Sequence, residues 1–357
     1  MARTILIMAG GTGGHVFPAL AVADEMRNRG WEVVWLGSEG GMETTLVPKH
    51  GFPLETIHFR GVRGKGLLRW ALLPLALLVA FWQSARIIFR VRPEVLLGMG
   101  GFAAFPGGMM GSFLNRPFAI HEQNAIPGLA NRVLAHLADR VYTAFPGALR
   151  QSKWSGNPVR AAIAAVDAPE RRFAGRDGPL RLFVVGGSLG AQALNEVVPQ
   201  ALALMPESER PRVIHQAGAK HIETLKQHYA RAGVVGELVP FVDDMARCYA
   251  EADLVVCRAG ATTVAELACA GVPSVLVPFP FATDDHQTAN ARFLSERGAA
   301  LLMPQSELTA ERLASMLATL DRGQLLTMAQ KARELAKPDA ARVVADGCAE
   351  LALPKTR

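Results

Sequence analysis

Short apolar runs alternate with longer stretches whose apolar residues recur at helical spacing, and the alternation persists along the whole chain. Strands buried on both faces read as unbroken apolar runs, and crossover helices carry one apolar stripe, so the pattern predicts βαβ units and a parallel sheet. Thr4–Ala9 is the first expected strand. Gly10-Gly11-Thr12-Gly13-Gly14-His15 follows, then an amphipathic helix through about Arg29, with Gly30 at its C-terminal end. Glu32–Leu36 is the next strand. A second series opens with strand Leu180–Val185, loop Gly186-Gly187-Ser188-Leu189-Gly190-Ala191 and a helix from about Gln192. Strand, glycine loop and helix therefore occur twice, and the expected fold class is α/β, with two Rossmann-like, doubly wound parallel-sheet domains.

Ser155-Gly156-Asn157-Pro158-Val159-Arg160 interrupts the pattern, and Asp167–Gly178 is polar and rich in Gly and Pro, so the domain boundary is expected near residue 160. Lys337-Pro338-Asp339 stops a helix. Ala340–Leu351 reads as another, which periodicity assigns to neither domain. The longest apolar stretch, Trp70–Ala85, lies between Arg69 and Arg86 and contains Pro74. Its 16 residues fall short of the ~20 a membrane-spanning helix needs. From Arg60 to Arg92 every charged residue is basic: Arg60, Arg63, Lys65, Arg69, Arg86, Arg90 and Arg92. An apolar, aromatic-tipped segment flanked only by positive charge suits an anionic membrane surface, with Trp70, Phe81 and Trp82 as contacts. A buried domain helix with exposed arginine ends is the alternative.

The chain has 357 residues, about two domains' worth at the usual ~100–200 residues each. Half is hydrophobic and a fifth charged, and the net charge is +6, which is globular composition without long disorder. No cluster of basic and aromatic residues forms a recognition motif, which argues against a nucleic-acid partner. Cys248, Cys257, Cys269 and Cys348 form no CxxC pair and no zinc spacing, and a reducing cytosol fits. The apolar N-terminal run reads as a buried strand rather than a signal peptide.

Glycine loops between strand and helix let backbone N–H groups approach an anion at the positive helix end. Neither loop satisfies the dinucleotide fingerprint, and no P-loop follows any strand. One such loop is often only close packing; two favour a phosphate-bearing ligand between the domains. Leu97-Gly98-Met99-Gly100-Gly101 is a third strand end at the ligand edge. His121-Glu122-Gln123-Asn124 follows strand Phe118–Ile120 and is not HExxH, so it is either structural or a substrate contact. Strand Ala252–Cys257 turns through Arg258-Ala259-Gly260 into a helix whose first N–H groups, at Ala261, Thr262 and Thr263, suit a phosphate. Glu266, within that helix, can accept both hydroxyls of a ribose or merely complement the dipole. Asp285-His286-Gln287-Thr288-Ala289-Asn290 carries groups suited to sugar hydroxyls.

Together Gly10–His15, Leu97–Gly101, His121–Asn124, Gly156–Arg160, Gly186–Ala191, Arg258–Glu266 and Asp285–Ala291 run in the order and spacing of the MurG family. The chain resembles these peptidoglycan N-acetylglucosaminyltransferases, which convert lipid I to lipid II, over essentially its whole length. The resemblance implies a GT-B fold with domains 1–159 and 160–338 facing a cleft, the helix at about 339–357 returning to the first. It implies UDP-N-acetylglucosamine as donor, lipid I as acceptor, anionic inner-leaflet lipids and other cell-wall synthesis proteins as partners, and a peripheral position on the cytoplasmic face of the inner membrane. No cofactor and no obligate metal are implied. Residue by residue, Glu266 would bind the ribose and the backbone near Phe241 and Val242 the uracil, with Met245 nearby. Arg160, Ser188 and the amides at Ala261–Thr263 would hold the diphosphate. Asn124, His286, Gln287 and Asn290 would read the sugar, and Thr12, Gly13, Gly14 and His15 would lie near the reacting centre. His15 or Glu122 would serve as catalytic base. His286 stands where the family often has Gln, so imidazole would remake one sugar contact. Rival readings are a UDP-sugar epimerase or glycolipid synthase, and a nucleotide-binding peripheral membrane protein without turnover.

Overall fold

The computed structural model describes residues 2–59, 72–187 and 190–353, so Trp70 and Ser188 lie outside the described residues. Its contacts divide into two compact units, Met1–Arg160 with Pro338–Arg357, and Ala161–Lys337.

In the first unit seven strands form one sheet: β1 (Thr4–Met8), β2 (Glu32–Ser38), β3 (Leu54–Ile57), β4 (Val95–Gly98), β5 (Phe118–Glu122), β6 (Arg140–Thr143) and β7 (Lys153–Trp154). Their order is β3-β2-β1-β4-β5-β6-β7, and every pairing is parallel. Successive β1 side chains point to opposite faces, so Ile5 and Ile7 enter one core and Leu6 and Met8 the other. Helices Gly13–Asn28 and Ala340–Leu351 cover the first face, with Val16, Ala19, Ala23 and Met26 packed into the same cluster as Val344, Ala345 and Cys348. The approach is close: a Cβ at Gly347 would collide with the Tyr142 hydroxyl. Arg29 and Asp346 clamp the helix pair at 2.7 Å. Helices Leu73–Val91 and Ala104–Phe113 cover the other face.

Leu73–Val91 corrects the sequence reading. The apolar run ends at Ala85, but the helix continues and has 19 residues, so by length and composition it could cross a membrane. Its buried residues, Ala80, Ser84, Ile87 and Ile88, form a helical stripe docked on the unit. Phe81 turns toward that stripe and meets Phe105 with ring centroids 6.3 Å apart. Phe81 is thus half-buried beside the stripe. Leu75, Leu78 and Trp82 are more than half exposed, at 61%, 64% and 62%.

The second unit holds β8 (Arg181–Val185), β9 (Arg212–Gln216), β10 (Glu237–Val239), β11 (Leu254–Cys257), β12 (Ser274–Leu276) and β13 (Leu301–Leu302), ordered β10-β9-β8-β11-β12-β13 and wholly parallel. Its irregular segments are held by buried guanidinium groups. Arg172 donates to the carbonyls of Asp167, Tyr249, Ala270 and Gly271, and burial pulls its pKa down to about 10. Asp253, fully buried, is bracketed by Arg176 and Arg322.

Candidate active site

In a parallel sheet all strands end at one edge, and a crevice opens where neighbouring connections run in opposite directions. In the first unit that switch lies between β1 and β4, and in the second between β8 and β11. The glycine-bearing segments follow these strands. Gly10–His15 leaves β1, Met99–Gly101 leaves β4, Gly186–Ala191 leaves β8 and Arg258–Glu266 leaves β11.

The first-unit edge is built around Glu43, which the sequence reading missed. Its side chain is fully buried and accepts 2.9 Å bonds from the N–H groups of Gly11 and Ser38. Gly10, Gly37 and Gly41 surround it, and a Cβ at any of them would strike it. Part of the glycine richness of this segment thus makes room for a carboxylate, and the Gly11 amide serves that carboxylate rather than an external anion. The third glycine cluster packs on the first loop. A Cβ at Gly101 would run into the Gly10 backbone, and one at Gly100 would come within 2.6 Å of His15 Nδ1.

Thr12 caps the Gly13–Asn28 helix through its backbone, without a side-chain bond, and His15 lies in the first turn. Its Nδ1 meets Gln123 Oε1 at 2.8 Å. The strand before Gln123 runs through His121 and Glu122, past the end at Ile120 that the apolar run predicts. Glu122 is 2% exposed. Its carboxylate accepts from Asn124 N at 2.9 Å, Asn131 Nδ2 at 2.8 Å and Gly128 N at 3.3 Å. It folds the loop beyond the strand and is spent on that task. A carboxylate so bonded is less able to take a proton from a substrate hydroxyl than the His15 ring, which favours His15 as the base to propose. Arg160 places its guanidinium 5.7 Å from the Phe17 ring.

In the second unit, helix Ala261–Ala270 begins at Gly260, a cap with no side chain to satisfy the first-turn N–H groups. Glu266 is 5% exposed and accepts a 3.2 Å bond from the Tyr249 hydroxyl, a partner no local motif announces. Val242 and Met245 are half-buried, Met245 opening helix Met245–Glu251. Before helix His286–Ser295, Asp284 and Asp285 both hold left-handed backbone, φ 53° and 51°, a conformation non-glycine residues rarely adopt. His286 donates Nδ1–H to the Thr283 carbonyl at 2.6 Å. Gln287 Oε1 accepts from Phe279 N at 2.9 Å, leaving its NH2 end the donor side. Asn290 is fully buried and donates to the Ala259 carbonyl at 3.2 Å, so it ties its helix to the Arg258–Gly260 turn. Arg258 also serves the frame, bonding the Val277 and Pro278 carbonyls and Gln305.

Among the described residues no cluster of three or more His, Cys, Asp or Glu side chains is placed to hold a metal ion. The four cysteines are buried; burial pushes the Cys257 and Cys348 thiols up to about 12, which keeps them protonated.

Two doubly wound parallel-sheet units, each with glycine turns at its switch point, are the architecture of GT-B glycosyltransferases. Residues 5–143 match the glycosyltransferase family 28 N-terminal domain and residues 181–344 the family 28 C-terminal domain; the chain belongs to glycosyltransferase family 28. It is 62% identical, over 98% of its length and 99% of the relative's, to a Nitrosospira multiformis protein. It is 64% identical, with the same shares, to one from Cupriavidus metallidurans. Both are named UDP-N-acetylglucosamine–N-acetylmuramyl-(pentapeptide) pyrophosphoryl-undecaprenol N-acetylglucosamine transferase. The crystal structure of Acinetobacter baumannii MurG superposes with a TM-score of 0.85 at 40% identity, covering 98% of this chain and 99% of that one.

Proposed function

We propose that this protein moves N-acetylglucosamine from UDP-N-acetylglucosamine to undecaprenyl-pyrophosphoryl-MurNAc-pentapeptide, lipid I, making lipid II with inversion at the anomeric carbon. What carries the reading is identity above 60% across nearly the full length to transferases so named. The rival epimerase has no such support.

Inversion takes one displacement. An acceptor hydroxyl oxygen forms the new bond to the anomeric carbon, that carbon's bond to the diphosphate oxygen breaks, and UDP leaves with the electron pair. His15 Nε2 takes the hydroxyl proton as general base. Arg160, Ser188 and the N–H groups at Ala261–Thr263 stabilise the charge developing on UDP. Glu266 accepts the ribose hydroxyls, Val242 and Met245 flank the uracil, and Asn124, His286 and Gln287 contact the sugar. Asn290 acts by fixing its helix rather than by touching the sugar. No cofactor enters. Contact with the acceptor's membrane is assigned to the exposed face of helix Leu73–Val91. Its docked stripe supports a peripheral rather than a spanning role.

The reading is tested by following UDP release with and without lipid I. Release should require the acceptor and stop when it is consumed. Equal release from donor alone would point to hydrolysis or another activity.

A further inference from the structure

We propose that Gln123 and His121 are positioning residues that lock His15 as its Nδ1–H tautomer, so that Nε2 faces the substrate as a proton acceptor. The inference rests on the reading of His15 as the base.

Two backbone carbonyls fix the direction of every bond in the relay, because a carbonyl oxygen can only accept. His121 Nε2 lies 2.9 Å from the Gly156 carbonyl oxygen, so that nitrogen bears the proton. Burial lowers the His121 pKa to about 4, so near neutral pH the ring has one proton and Nδ1 is an acceptor. Gln123 Nε2 lies 3.0 Å from that Nδ1 and 3.0 Å from the His121 carbonyl oxygen. Both are acceptors, so the NH2 end of Gln123 must face them and its Oε1 must face His15. Oε1 accepts only, so His15 Nδ1, at 2.8 Å, is protonated, and the lone pair of the neutral ring sits on Nε2. His121 is fully buried and Gln123 1% exposed, so water does not compete for these bonds. Gly100 completes the seat, since any larger residue would press on His15 Nδ1.

The relay has a chemical purpose. A neutral imidazole in water favours the Nε2–H tautomer, which would turn a proton rather than a lone pair toward an acceptor hydroxyl. A base held in the wrong tautomer is present but inactive.

Long-range 1H–15N correlation on 15N-histidine protein, with the His15 signals assigned by their loss in His15→Gln, reads the tautomer directly. Near neutral pH the neutral wild-type ring is expected to show a protonated Nδ1 and an unprotonated Nε2. A wild-type ring protonated on Nε2 overturns the proposal, without any variant. In Gln123→Met, similar in length but without the amide, the ring should revert toward Nε2–H. There kcat should fall about 10²-fold, the lower end of a general base's contribution, with KM for UDP-N-acetylglucosamine nearly unchanged. An unchanged tautomer in Gln123→Met, or a lost tautomer with unchanged kcat, also overturns it. Failure of the base reading is seen separately. His15→Ala would then retain kcat, while the 15N signature would still report whether the relay sets the ring.

Discussion

Glu266 and Tyr249 show how far a single residue's role depends on a neighbour distant in sequence. The carboxylate lies buried within helix Ala261–Ala270 and is already bonded by the Tyr249 hydroxyl, so a ribose bound there as proposed would meet an oriented acceptor. Glu266→Ala should weaken UDP binding by about 1.5–3 kcal/mol, the scale of hydrogen bonds to a charged group, and Tyr249→Phe by about 0.5–1.5 kcal/mol through lost orientation. Titration calorimetry checks both, and unchanged affinity in Glu266→Ala would remove Glu266 from the site. Glu43 makes the complementary point. Its two 2.9 Å bonds hold the strand ends from which the His15 loop departs. Glu43→Ala removes the partner of the buried Ser38 N–H and of the half-buried Gly11 N–H; the buried one alone is worth about 1–3 kcal/mol, and the variant should lower the urea midpoint and kcat together. Glu43 was invisible in the sequence because the glycines that make room for it read equally well as an anion loop. The same ambiguity hid the relay: His121 and Gln123 are near neighbours in the chain, but only the fold brings His15 to Gln123.

At the scale of elements, helix Leu73–Val91 is the clearest divergence between pattern and structure. Arg86 and Arg90 look like a stop signal. Yet Arg86 lies 5.7 Å from the Trp82 ring and Arg90 pairs with Glu55, so the helix runs on past both charges. The acidic partner that the local run lacks comes from β3. What the pattern did convey was an unusual apolar face. Leu75, Leu78 and Trp82 are the most exposed part of that face, with Phe81 half-buried at its side. Changing Leu75, Leu78 and Trp82 to Ser should release the protein from anionic vesicles and leave turnover on a short-chain soluble acceptor intact. Added salt should weaken wild-type binding, since exposed arginines are screened. Undiminished co-sedimentation of the triple variant would assign the helix to packing alone.

Across the whole molecule, the doubly wound architecture was legible because buried parallel strands write unbroken apolar runs, as at Thr4–Met8 and Leu254–Cys257. Packing of the last helix on Gly13–Asn28 was not legible from periodicity, because an apolar stripe does not name its partner. The buried histidines give the fold a pH dependence. Burial lowers the pKa of His121 to about 4 and of His215 to about 3, whereas the unfolded chain titrates them near 6.5. Between these values the unfolded state binds more protons, so stability is full above about pH 6.5 and falls as the pH drops toward 4. His121 alone should contribute a loss on the order of 3 kcal/mol across that window, read as a falling urea midpoint; a midpoint flat from pH 7 to 4 would contradict the buried neutral rings. The transfer reaction itself is the most direct test of the account. Incubated with UDP-N-acetylglucosamine labelled in the sugar and with lipid I, the protein should place label in a lipid-extractable product, one UDP released per sugar, with the α-linkage of the donor converted to a β-linkage. Label confined to free or epimerised sugar, or an α-linked product, would contradict it.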